Sequence, residues 1–120
     1  MKVRFNSRNA SVVLAAASLG LASVACDHHR FSSMCDRVFE CNPAPGDFGL
    51  QRFECEDIVE EEISARVIMT MEATQADADA CAELLMDIGD ADDCALYEEV
   101  RANVQSSACG RPFALESTLF

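Results

Sequence analysis

"CEDIVEEEISARVIMTM", residues 55 to 71, decides the fold class. Cys55, Val59, Ile63, Val67 and Met71 recur at every fourth position. That spacing lays one apolar stripe along a helix of 3.6 residues per turn, whereas a half-buried strand alternates its faces every second residue. Glu60, Glu61 and Glu62 fall mainly beside the stripe and read as a solvated face. The helix is expected from about Leu50 to Met71. Met69 and Met71 are expected in the core rather than as soft Cu(I) ligands, because residues two apart on a helix point to nearly opposite sides.

The flanking segments repeat the helical pattern. "SSMCDRVFEC" (32–41) puts Phe31, Cys35, Val38 and Phe39 near one face, with Ser32 as the expected cap. "NPAPGD" (42–47) ends that helix, because Pro43, Pro45 and Gly46 cannot continue it. Downstream, Thr74 caps a third helix, and Asp77 stands three residues on, near its positive end. Cys81, Leu84, Leu85 and Ile88 form its stripe and Gly89 is expected to end it. "DADD" (90–93) opens a fourth helix with Cys94, Leu96, Tyr97, Val100 and Val104 inward, and Gly110 and Pro112 stop it. Strand signals are nearly absent. The expected class is all-α, a small disulfide-stapled bundle of about four helices after a cleaved signal peptide.

The leader is read from the other end. Lys2, Arg4 and Arg8 form a basic segment, and Ala10 to Ala22 is an uncharged apolar run of 13 residues. Ser23 and Ala25 are small residues three and one positions before Cys26. This is the three-part pattern of a secretory signal peptide, and its apolar run falls short of the roughly 20 residues of a spanning helix. The expected organisation is a signal peptide over 1–25, a lipidated tether over 26–31, a disulfide-bonded helical domain over 32–110 and a C-terminal tail over 111–120 that packs weakly or frays.

Cysteine parity connects the leader to the fold. The chain has 7 cysteines, at positions 26, 35, 41, 55, 81, 94 and 109. An odd number in an exported protein leaves one thiol over. A lipid on Cys26 would consume that one and leave six for three bridges. Six cysteines admit 15 connectivities. Folding the first helix back on the second around "NPAPGD" brings Cys35 opposite Cys55. Cys94 and Cys109 lie roughly 20 Å apart if one unbroken helix joins them, too far to bridge. The preferred set is Cys35–Cys55, Cys41–Cys94 and Cys81–Cys109. The alternative is a soluble secreted chain whose Cys26 stays free or pairs between chains.

Charge narrows the partners. Taking Lys2, Arg4 and Arg8 from 9 basic residues leaves 6 arginines and no lysine against 21 acidic residues, a mature formal charge of −15. Such a surface repels nucleic acid and anionic headgroups and favours a basic protein partner in the envelope, or divalent cations. The 95 residues that remain of 120 make one domain, for which three bridges would offset a modest core.

The search for chemistry is short. His28 and His29 are the only histidines and lie in the tether, so the domain has no imidazole for acid–base or nucleophile-activating work. No CxxC pair occurs. No enzyme activity, catalytic residue or cofactor is expected. A metal reading exists only at the mature amino terminus. A free amine on Cys26, two amide nitrogens and the third-position imidazole of Cys26-Asp27-His28 would form a square-planar site suited to Cu(II) or Ni(II), which acylation of the amine would alter. "DIGDADD" (87–93) is no EF-hand loop, since no glycine falls sixth and the twelfth residue from Asp90 is Arg101.

"SVAC" (23–26) resembles a bacterial lipobox, with Ala25 before the cysteine and Ser23 where leucine is usual. "CDRVFECN" (35–42), "ACAELLMDI" (80–88), "DDC" (92–94) and "YEEVRANVQSSAC" (97–109) behind that leader resemble small cysteine-patterned bacterial lipoproteins of unknown function, some labelled natural-product-biosynthesis lipoproteins. The resemblance implies an exported helical domain held to the membrane by a lipid on Cys26. It supplies no mechanism. Asp27 after the anchor implies inner-membrane retention where the host follows that sorting rule.

Overall fold

The structure is a computed structural model and describes residues 30–120. The leader, Cys26, Asp27, His28 and His29 lie outside the described residues. Among the described residues five α-helices follow one another: α1 (Ser32–Cys41), α2 (Cys55–Ile68), α3 (Gln75–Asp90), α4 (Ala95–Ala102) and α5 (Glu116–Leu119). A 3-10 turn at Arg52–Glu54 leads into α2 and another at Val104–Ser106 follows α4. Among the described residues there is no strand.

α1 buries Met34, Cys35 and Val38, and Phe31 just before it is fully buried. Phe39 is only partly covered. Ser32 is helical rather than capping, for the cap position is Phe31 and no side chain caps there. Arg30 is no tether residue either. Its guanidinium forms a two-pronged pair with Glu60 of α2, Nε to Oε1 at 2.6 Å and Nη2 to Oε2 at 3.1 Å. Glu60 is therefore not part of a solvated face. Glu62 also works inward, accepting from Arg66 Nε at 2.7 Å and from the backbone N–H of Ala114 at 2.9 Å.

The stripe of α2 is shorter than the sequence period implies. Cys55, Val59 and Ile63 are buried, but the helix stops at Ile68. Met69 and Met71, expected in the core, are 79% and 81% exposed. The cause is the chain reversal that α3 imposes. Thr74 is the cap of α3, accepting from the Asp77 N–H at 3.1 Å while Asp77 Oδ2 accepts from the Thr74 N–H at 2.9 Å. This reciprocal box fixes where α3 starts, so α2 must end and turn before residue 74. Met71 stands in the left-handed region at φ 56° and leaves the helical register altogether.

α3 buries Ala78, Cys81, Ala82, Leu85 and Ile88. Gly89 does not end it; the helix runs to Asp90 and Ala91 is extended. Gly89 instead marks where α1 crosses. A Cβ there would come within 2.6 Å of the Met34 backbone nitrogen and 2.9 Å of the Ser33 carbonyl carbon. The exposed carbonyl past the end of α3 is met by a cation, since Arg37 Nη2 of α1 donates to Ala91 O at 2.6 Å.

"DADD" precedes α4 rather than starting it. Cys94 is the N-cap and Asp93 Oδ1 accepts from the Ala95 N–H at 3.0 Å. α4 ends at Ala102, so no unbroken helix joins Cys94 to Cys109, and Cys109 turns toward α3. The terminal segment does not fray. Phe113, Leu115 and Leu119 are buried. The Tyr97 hydroxyl donates to Leu119 O at 2.7 Å, and the Phe120 ring stacks on Tyr97 with centroids 5.2 Å apart. Burial pushes the Tyr97 phenol above its ordinary pKa.

Gly89→Ala forces backbone apart at the α1–α3 crossing and should destabilise the fold by about 1–3 kcal/mol, read from urea unfolding of the oxidised protein. Asp77 gives a pH signature. Hydrogen bonds from the backbone N–H and then the hydroxyl of Thr74 hold its carboxyl below 3.8. A depressed carboxyl contributes stability above its unfolded pKa and loses it as pH falls through the folded value. Below about pH 4 the oxidised protein should therefore lose stability more steeply than Asp77→Asn, which has no such titration, in paired urea melts.

Candidate functional site

The six cysteines of the domain form three disulfides, and the pairs are those preferred from the sequence. Cys35–Cys55 joins α1 to the start of α2, with Cα atoms 6.0 Å apart. Cys41–Cys94 joins the end of α1 to the start of α4, at 5.6 Å. Cys81–Cys109 ties α3 to the segment after α4, at 4.6 Å. Local structure explains each. Helix α1 presents Cys35 to the core and carries Cys41 on its last residue, so its two cysteines reach different elements. Three such bridges belong to an oxidising, extracytoplasmic compartment. Among the described residues no helix is long and apolar enough to cross a membrane.

The bridges differ in exposure. Cys35, Cys55, Cys81 and Cys109 are fully buried, whereas Cys41 and Cys94 are partly exposed. They also differ in the loop each closes, with sequence separations of 20, 53 and 28. Restricting the unfolded chain over 53 residues is worth about 4 kcal/mol in the chain-entropy description, against about 3.3 kcal/mol over 20. The most accessible bridge is thus the one that closes the longest loop.

Of the metal readings, the Cys26-Asp27-His28 segment lies outside the described residues. Within residues 30–120 no group of three or more His, Cys, Asp and Glu side chains converges on a point that could hold a metal ion. The carboxylates of "DIGDADD" are spent locally where they act at all, Asp93 on the start of α4.

Two surface features stand out. The larger is a groove of about 550 Å3 between α4 and the terminal segment, lined among others by Arg101, Arg111, Asp47, Glu116, Phe113 and Phe120. Two cations face two carboxylates there, so the groove presents no single-sign field to an anion or a cation. The second is the turn between α2 and α3. Ile68, Met69 and Met71 are 71%, 79% and 81% exposed, and Thr70 is exposed beside them. Hydrogen bonds within the turn tie it to the end of α2, since Met69 N and Thr70 N donate to Ala65 O at 2.9 and 3.0 Å and Ala73 N donates to Arg66 O at 3.1 Å. Its apolar side chains are therefore displayed on a defined loop. The signal for it in the sequence was the meeting of "VIMTM" with the cap at Thr74, which leaves no room for the stripe to continue.

No family model matches the sequence, and no curated protein or solved structure matches it either.

Titration of the folded protein with a mild thiol reductant should open Cys41–Cys94 first. Differential alkylation and peptide mass mapping should find labels on Cys41 and Cys94 before any on the four buried cysteines, with a fall in stability at that step of about 4 kcal/mol.

Proposed function

We propose that this protein is an exported envelope domain held to the membrane by a lipid on Cys26, serving as a non-catalytic binding or structural module. The observation that carries the reading is the cysteine arithmetic in three dimensions. Six of the 7 cysteines close three bridges within one domain, and the remaining one is the residue that ends the leader pattern. A bacterial lipoprotein needs that cysteine for its anchor. The lipobox-like "SVAC" and the resemblance to cysteine-patterned lipoproteins support the same assignment.

The non-catalytic role rests on what residues 30–120 have to offer. They contain no histidine, and every cysteine in them is bridged, so imidazole and thiol chemistry have no group to work with. Tyr97 is buried against backbone and its proton is held more firmly than usual. The strongly acidic surface suits a basic protein partner in the envelope and disfavours nucleic acid.

Intact mass measurement of the full chain, purified without reductant from its host's membranes and culture fluid, tests the anchor. The expected species is Cys26 to Phe120 plus a diacylglycerol and an acyl chain, less six hydrogens. An unmodified chain starting at Cys26 and recovered from the fluid would overturn this reading in favour of a soluble secreted protein. Copper binding by its Cys26-Asp27-His28 terminus would then be the next property to measure.

A further inference from the structure

The helix directions place the uncharged turn of residues 68–71 at the same pole as the point where the chain enters the domain. α1 and α2 run antiparallel: Cys35 is bonded to Cys55, and five residues earlier Arg30 is paired with Glu60, five residues later. Stepping back along α1 toward its start is therefore stepping forward along α2 toward its end. α3 returns from that end, beginning after the Thr74 cap. It meets α1 near its own C-terminus, at Gly89 against Met34 and at Ala91 against Arg37. The α2–α3 turn thus projects beyond the beginning of α1. The far pole holds the end of α1 and the Cys41–Cys94 bridge.

The distances match. From Glu60, level with Arg30, to Ile68 is eight residues of helix, about 12 Å along the axis. From Arg30 back to Cys26 is four residues, which span about 14 Å at most when extended. A lipid-bearing Cys26 can reach the level of Ile68 and Met71 and hardly further. With so short a lead the domain cannot stand off from the bilayer, and the part of it that meets the surface is the pole around that turn.

The composition of the turn suits that contact. Ile68, Met69, Thr70 and Met71 carry no charge in a mature chain of formal charge −15. The nearest cation, Arg66, pairs with both Glu62 at 2.7 Å and Glu72 at 3.4 Å, so the cluster beside the turn is one carboxylate in excess and adds no attraction for anionic headgroups. The flexible thioethers of two methionines adapt to an irregular apolar medium. The left-handed backbone at Met71 holds its side chain out of the protein instead of along the α2 stripe.

We infer that Ile68, Met69 and Met71 form a membrane-contact tip that dips into the outermost apolar layer of the bilayer and sets the orientation of the anchored domain, with α4 and the Cys41–Cys94 bridge facing away. Contact of this kind presupposes the lipid on Cys26. It is a different property from anchoring, because a lipidated domain whose tip stays in water is equally conceivable.

The chain contains no tryptophan, so a single substitution supplies a unique fluorophore. The test uses the full lipidated protein as Met69→Trp and, separately, as Asp92→Trp at the far pole, reconstituted on phosphatidylcholine vesicles with brominated acyl chains. Zwitterionic lipid avoids repulsion by the acidic surface. The expected result is a loss of emission and a shift to shorter wavelength for Met69→Trp, with Asp92→Trp unaffected. Protein that carries its lipid and floats with the vesicles, yet shows an unquenched Met69→Trp, would overturn the tip while leaving the anchor intact, and would turn the patch toward a protein partner. Equal quenching at both positions would overturn the orientation. A chain without lipid on Cys26 would overturn both, and intact mass distinguishes that case from the others.

Discussion

Helix α1 is clamped at three points, and the arrangement of the other helices follows from that clamp. Cys35 ties it covalently to the start of α2, Cys41 ties its last residue to the start of α4, and Arg37 between them donates to the carbonyl just past the end of α3. Met34 lies against Gly89 so closely that no side chain fits there. A 10-residue helix has little intrinsic stability in water. Held at both ends and in the middle, it becomes the piece against which three other helices are positioned. The third bridge, Cys81–Cys109, then returns the chain after α4 to α3 and lets Phe113, Leu115 and Leu119 close the core.

Such covalent closure answers a specific problem of this sequence. Residues 26–120 oppose 21 acidic residues with 6 arginines, and a compact state with that imbalance repels itself. The arginines are placed economically. Arg30 with Glu60, Arg37 with Glu40, Arg52 with Asp36, Arg66 with Glu62 and Arg101 with Glu98 each neutralise an acidic neighbour. Most of these pairs are partly exposed and each adds little on its own. The bridges act differently, by restricting the unfolded chain, and salt and pH do not screen that effect.

The domain also has two unlike ends. At one, the chain enters and the uncharged residues 68–71 stand out on a turn hydrogen-bonded to the end of α2. At the other lie the partly exposed Cys41–Cys94 bridge and the acidic lead into α4.

The sequence by itself determined the helical class, the break at "NPAPGD", the start of α3 at Thr74 and, through the fold-back of the first helix on the second, the Cys35–Cys55 bridge. Each of these is set by short-range rules: apolar period, residues that cannot continue a helix, a cap box four residues long, and the few separations that helix hairpins allow between cysteines. Tertiary structure alone decided that Gly89 is a crossing point and not a terminus, that Glu60 and Glu62 are partly covered by distant partners, and that residues 113–119 pack on the core. All three depend on which distant segment arrives at a position: Arg30 at Glu60, Ala114 at Glu62, Met34 at Gly89, Leu119 at Tyr97. Periodicity records that a side chain has an apolar neighbour on its own helix. It carries no information about the partner, some 20 to 55 residues away, whose arrival covers part of an acidic face or packs against a glycine.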